Sequence, residues 1–266
     1  MSTLIVIPAR YASTRYPGKP LVELKGATGE SISLVERSWR AARKVEGDVE
    51  VVVATDDTRI ADAAEAFGAE VVMTSEACRN GTERCAEAIE VRGTQHDIVV
   101  NLQGDAPLTP PWFVEALIAS MQANPKAEAA TPVLRCDGKA LNGFLEDRRA
   151  GRVGGTTAVF GADMSGLYFS KEMIPYTGKT YGPDDETPVF HHVGVYAYRP
   201  AALAAYMGWE PGPLEQLEGL EQLRFLEHGA HLECVEVDAR GQPFWELNNP
   251  EDVPRIEAML AEAGMP

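Results

Sequence analysis

Short, β-branched, apolar runs of strand length recur along the chain, each followed by a helix-length segment. This alternation restricts the fold more than any other feature of the 266 residues. Residues 4–7 (Leu-Ile-Val-Ile), 49–54, 70–73 and 97–102 read as strands, the continuous runs being of the kind buried on both faces of a parallel sheet. Residues 31–43, 59–67, 83–91 and 110–121 read as the helices between them, with Asp57 placed to cap the second and a proline near the first turn of the fourth. A further strand is expected over 129–134. Strand then helix, four times over, predicts an α/β fold: a Rossmann-like, mostly parallel sheet with helices on both faces. Ligands in such sheets sit beyond the carboxyl ends of the strands, which singles out the loops after Ile7, Ala54 and Leu102.

The rhythm changes after residue 135. Residues 137–155 are polar and rich in Gly and Arg, and read as a linker or irregular arm. Residues 156–160 and 166–169 read as an antiparallel hairpin, 192–198 as a strand, and 214–228 as one long helix with Leu214, Leu217, Leu220, Leu223 and Leu226 on its apolar stripe. A strand at 232–237 and a helix at 251–262 complete the pattern. No internal repeat or low-complexity segment interrupts it.

Asp and Glu number 40 against 24 Lys and Arg, a net charge of −16, which argues against general nucleic-acid or anionic-membrane binding. No apolar stretch approaches the roughly 20 residues of a membrane span, and with the first strand starting by residue 4 no cleaved hydrophobic leader is expected. Cys78, Cys85, Cys136 and Cys234 form no CxxC pair, so reduced thiols in a cytoplasmic protein are expected.

Against that negative background, Arg10, Arg15 and Lys19 with Ser13, Thr14 and Gly18 crowd the loop after the first strand. Forked guanidinium donors, a mobile ammonium and backbone N–H groups suit a polyphosphate. Charge alone leaves open a merely solvated basic loop. The segment is not a Walker A loop, since Pro20 follows Lys19, and no G-x-G-x-x-G occurs. Asp105, beyond the strand at 97–102, is placed to hold Mg²⁺, although a Gly-Asp pair on its own is more often only a turn.

The string Pro8-Ala-Arg-Tyr-Ala-Ser-Thr-Arg-Tyr-Pro-Gly-Lys-Pro-Leu21 resembles the cytidylyltransferases acting on 3-deoxy-manno-octulosonate (KDO). Asn80-Gly-Thr-Glu-Arg84 resembles that family's [SN]-G-T-[ED]-R, residues 101–107 its N-x-Q-G-D-E-P turn, His192-Val-Gly-Val-Tyr196 its H-x-G-x-Y, and residues 213–224 its P-L-E-x-x-E-x-L-E-Q-L-R. The likeness runs from residue 4 to about 255.

The resemblance implies one nucleotidyltransferase domain over 1–266 containing a small antiparallel dimerisation and sugar-side arm at 136–190, and a homodimer supplying lipopolysaccharide or capsule synthesis. It implies attack of the sugar's anomeric hydroxyl on the α-phosphate of CTP with Mg²⁺ as cofactor, CTP and an acidic 3-deoxy sugar being the partners. Arg10, Lys19 and Asp105 would be catalytic. Ala9, Arg10, Ser13, Thr14, Arg15, Lys19, Asn80, Gly81, Thr82, Arg84 and Gln103 would bind nucleotide. Gln103, Lys171, His192, Tyr196, Glu218 and Gln222 would bind the sugar, and Asp105 and Asn248 the metal. Three positions depart from the pattern: Ala106 replaces a Glu, Lys171 an Arg, and Asn248 the Asp of G-V-D-T-P-E-D. Residues 24–31 also lack the family's usual helix entry. The departures sit on the sugar and metal side, so KDO or a close ulosonic-acid analogue is the expected acceptor.

Overall fold

In a computed structural model, the structure describes residues 1–12, 16–93, 95–105, 107–153, 155–242, 245, 247 and 249–266. They form two compact units, Met1–Ile118 with Ala239–Pro266, and Ala119–Asp238.

In the first unit the chain runs β1 (Thr3–Ala9), β2 (Glu23–Lys25), β3 (Ser31–Ser33), α1 (Leu34–Ala42), β4 (Val49–Thr55), α2 (Thr58–Ala66), β5 (Glu70–Met73), α3 (Gly81–Arg92) and β6 (Ile98–Leu102), and α4 (Pro111–Ala123) leads out of it. β5, β4, β1 and β6 lie side by side in that order, all parallel, with Ile5 opposite Val51 on one side and Val100 on the other. Leu4, Ile5, Val6, Ile7, Val52, Val53, Ile98 and Val100 are fully buried, as expected of strands covered on both faces. Helices α1, α2 and α3 pack on these strands. The parallel α/β expectation holds, with one addition: residues 23–33 form a small antiparallel hairpin before α1, so that helix starts at Leu34 rather than at 31.

The second unit contains β7 (Ala129–Asp137), α5 (Gly138–Arg149), β8 (Thr157–Phe160), β9 (Gly166–Ser170), β10 (Glu186–His192), β11 (Val195–Tyr198), α6 (Pro200–Gly208), α7 (Pro213–Glu218), α8 (Leu223–Glu227) and β12 (Leu232–Val237). β7 is central here, pairing antiparallel with β10 and β11 and parallel with β12, and β8 pairs antiparallel with β10 and β9. Past Asp238 the chain rejoins the first unit and ends with α9 (Val253–Glu262). There Leu247, Ile256 and Leu260 pack with Leu24, Leu34 and Leu108.

Three expectations are corrected. The supposed irregular arm at 137–155 contains the three-turn helix α5: the Asp137 carboxylate caps it by accepting from Ala140 N at 2.7 Å, and Leu141 and Phe144 pack on Cys136 and Val189. The supposed single helix over 214–228 is broken by Gly219, whose φ of 62° is left-handed, so α7 and α8 are separate and Leu217 stands 83% exposed. The strand expected over 192–198 is two strands, broken at Val193 and Gly194.

Candidate active site

The loop that leaves β1 folds back on itself: Gly18 N donates to Tyr11 O at 2.9 Å, and the left-handed Gly18 (φ 70°) lies so close to the Tyr11 ring that a Cβ there would sit 3.1 Å from it. This return delivers Lys19 to the carboxyl end of the parallel strands. Its Nζ meets Asp105 Oδ2 at 2.7 Å, with the two side chains 16% and 25% exposed. Asp105 stands in the turn after β6. A Cβ at Gly104 would be 3.2 Å from Pro8 O, so this glycine allows the turn to press against the end of β1. Asp105 Oδ1 is buried and has no hydrogen-bond partner among the described residues. Leu247 N donates to Asp105 O at 2.9 Å, which ties Leu247 to the same turn. Ala9 is buried, Gln103 half-buried, and Arg10 exposed with no pairing to any described residue. Ser13, Thr14, Arg15 and Asn248 lie outside the described residues.

The Asn80–Arg84 segment opens α3. The Asn80 side chain caps the helix by accepting from Glu83 N at 2.9 Å, while Glu83 accepts from Arg79 N at 2.8 Å. Gly81 lies close over Asn101: a Cβ would sit 2.9 Å from Asn101 Nδ2, so a larger residue here has to displace that amide. Thr82 is fully buried, and Arg84 is 2% exposed. Two nitrogens of the Arg84 guanidinium are held inside the protein, Nη2 by Asp56 Oδ2 at 2.7 Å and Nη1 by Thr74 Oγ1. The motif's arginine therefore ties α3 to the ends of β4 and β5 and has little surface to offer a ligand. Asn101 is the first residue of the 101–107 turn, at the carboxyl end of β6. Its amide is fully buried with both polar atoms unpartnered, directly below Gly81. Burial of an asparagine in an otherwise apolar strand was the signal that singles it out.

The five residues assigned to the sugar in the second unit fall into two groups. His192, at the end of β10, is 6% exposed; its ring stands edge-on to Phe169 at 5.1 Å and lies 5.5 Å from Tyr196. Burial, with a smaller contribution from His191, pulls its pKa down to about 3, so it is neutral near pH 7. Tyr196 OH donates to Gln222 Oε1 at 3.1 Å, and Gln222 is 1% exposed. His192 Nε2 and Gln222 Nε2 are both buried without a partner among the described residues. Arg224, two residues after Gln222, is anchored by two 2.6 Å bonds to Glu215 and covers the Tyr206 ring at 4.0 Å.

The other group centres on Glu218. Its carboxylate accepts from Tyr168 OH at 3.2 Å, Ser170 OH at 2.7 Å and Lys171 N at 3.0 Å. Glu218 is thereby a structural clamp on the end of β9, with its oxygens already engaged. The Lys171 ammonium pairs with no described residue and lies 3.1 Å from where a Cβ on Gly219 would be.

A family model described as cytidylyltransferase matches residues 4–233. The chain is 44% identical over 264 residues to the 3-deoxy-manno-octulosonate cytidylyltransferase of Maricaulis maris, covering 99% of both chains. It is 39% identical to the 8-amino-3,8-dideoxy-manno-octulosonate cytidylyltransferase of Shewanella piezotolerans, covering 98% of this chain and 99% of that one. Among solved structures, that of a CMP:2-keto-3-deoxy-manno-octonic acid synthetase complexed with CTP matches with a TM-score of 0.82 and 32% identity, covering 99% of this chain and 100% of the other. Sequence motifs, parallel-sheet architecture and these likenesses agree that the chain belongs to the cytidylyltransferase family.

Proposed function

We propose that this protein activates 3-deoxy-manno-octulosonate with CTP, forming the CMP-sugar and releasing pyrophosphate. The observation that carries the reading is the 2.7 Å meeting of Lys19 and Asp105 at the carboxyl end of the parallel strands, with the second carboxylate oxygen buried and engaged by no described residue. A cation for phosphate and a carboxylate for a divalent ion are thus brought together from residues 86 apart in sequence.

The anomeric oxygen forms a bond to the α-phosphorus as the bond to the β-phosphate bridge breaks, and the hydroxyl proton is released. Positioning and electrostatic stabilisation supply most of the rate in such phosphoryl chemistry. Lys19 and Arg10 neutralise the triphosphate, and the Asn80–Thr82 turn at the start of α3 offers its backbone, uncovered by a side chain at Gly81, to the nucleoside. No protein nucleophile is required. In the second unit, His192 and Gln222 offer neutral hydrogen-bonding groups to sugar hydroxyls, and Lys171 offers a cation to the sugar carboxylate.

The donor set suits Mg²⁺, which takes one or two protein carboxylates and completes its shell with water and phosphate oxygens. Asp105 Oδ1 and the side-chain oxygen of Asn248 would hold it, and the ion supplies neutralisation of charge on the reacting phosphate. The same reading includes a cytoplasmic homodimer that feeds lipopolysaccharide or capsule synthesis. The exposed apolar side chains Val153, Leu167 and Tyr176 support the arm at 136–190 as the dimer contact.

The test is pyrophosphate release from CTP and Mg²⁺ offered KDO, its 8-amino analogue, or a sugar phosphate. KDO is the expected acceptor. Preference for the amino sugar would assign the chain to its other named type of relative, release only with a sugar phosphate would reassign the acceptor class, and CTP binding without turnover would mark a weakened homologue.

A further inference from the structure

Lys171 and Gly219 are 48 residues apart in sequence, yet the lysine ammonium rests 3.1 Å from the position a Cβ on that glycine would occupy. Three observations bear on this contact. Gly219 adopts a φ of 62°, a left-handed conformation in which a side chain is strained. Its neighbour Glu218 holds the Lys171 backbone N–H at 3.0 Å and the Ser170 hydroxyl at 2.7 Å, fixing the root of the lysine. The ammonium itself pairs with no described carboxylate, so the Gly219 backbone borders the place where it stands.

We propose that Glu218 and Gly219 together form a seat for Lys171: Glu218 sets where the side chain begins, and the missing side chain of Gly219 sets where its charge ends. Gly219 is then a positioning residue for sugar-acid recognition, acting through Lys171, and the inference rests on Lys171 receiving the sugar carboxylate. Lysine is a point charge on a flexible stem and, unlike a planar guanidinium, does not fix its own orientation, so the space around its terminus does. A Cβ at 219 meets the free end of a flexible chain, not backbone. The contact is relieved by displacement of the ammonium, and the effect appears in substrate binding more than in folding.

The test is a double-mutant cycle read as KM for 3-deoxy-manno-octulosonate and KM for CTP in Gly219→Ala, Lys171→Ala and the double variant. We expect Gly219→Ala to raise the sugar KM about threefold with the CTP KM unchanged, and the double variant to match Lys171→Ala alone. Gly219→Asn separates strain from space, because asparagine tolerates the left-handed conformation but fills more volume. It is expected to raise the sugar KM at least as much as alanine. Additive effects, an unchanged sugar KM in Gly219→Ala, or recovery in Gly219→Asn would overturn the seat. An unchanged sugar KM in Lys171→Ala would instead refute the role of Lys171 on which the inference rests.

Discussion

Replacing Arg84 with methionine distinguishes a ligand-binding arginine from a structural one. Its side chain is 3% exposed and that of its partner Asp56 10%, at a separation of 2.7 Å. Methionine keeps the apolar stem but leaves the Asp56 carboxylate poorly hydrated and without its countercharge. Removing one partner of such a buried pair costs about 3–5 kcal/mol. With an unfolding entropy of about 2.1 cal/mol/K per residue, that loss lowers Tm by about 5–9 °C for a chain of this length. Urea denaturation followed by circular dichroism gives the first quantity and a thermal scan the second. Asp56→Asn combined with Arg84→Met should recover part of the loss, since the orphaned charge is then gone. The KM for CTP, measured where the variant is folded, should stay within about twofold. A stability loss under about 1 kcal/mol together with a tenfold rise in that KM would refute the structural assignment and restore Arg84 to the nucleotide.

Other outcomes follow from the same geometry. Lys19→Ala should raise the KM for CTP strongly while leaving Tm nearly unchanged, because a part-exposed ion pair contributes about 1 kcal/mol or less; unaltered CTP kinetics would count against the phosphate cradle. Asp105→Asn should abolish Mg²⁺-dependent turnover with the fold retained, and normal activity would remove Asp105 from the metal site. Asn248→Asp gives back the carboxylate of the G-V-D-T-P-E-D pattern and, if residue 248 helps to hold the ion, should lower the Mg²⁺ concentration for half-maximal activity; an unchanged titration would show that the ion is held elsewhere. His192 has a folded pKa of about 3, below the ordinary value of 6.5, so the unfolded chain takes up its proton first as pH falls. Stability is therefore full above pH 6.5 and is lost below it, by about 2 kcal/mol at pH 5 from this residue. Denaturation midpoints at pH 7 and 5 should differ less in His192→Phe than in the parent, and equal differences would contradict the burial argument.

The parallel strands were legible because Leu4–Ile7 and the apolar core of 97–102 are hydrophobic on both faces, a pattern that only a covered sheet accommodates. The loop after β1 stood out because it carries three cations in ten residues on an acidic chain, and one of them, Lys19, is the residue that meets Asp105. Helix α5 was not, since Gly138, Gly143 and the arginines near its end give it the composition of a linker. Its cap at Asp137 and the spacing of Leu141 and Phe144 carried the structural signal instead. The break at Gly219 was hidden for the opposite reason: a leucine every third residue suggests an unbroken stripe, and one glycine is formally tolerated within a helix. Motif matching identified Asn80 and Arg84 as positions that matter, but a string of letters does not distinguish a helix cap or a buried ion pair from a ligand contact. That distinction depends on Asp56 and Thr74, which lie 28 and 10 residues away.

The first unit is assembled from two stretches of chain separated by 120 residues. Leu247, Ile256 and Leu260 fill the core around Leu24, Leu34 and Leu108, and Leu247 N reaches Asp105 O. During synthesis, then, a ribosome that has completed β1 to β6 has made a half-finished hydrophobic centre, which waits for the last segment before the aspartate turn is braced. The setting of Asp105 is in this sense a late-maturing property: a nascent protein cut short before residue 239 would carry the loop after β1 and Asp105 yet leave Leu24, Leu34 and Leu108 without their cover.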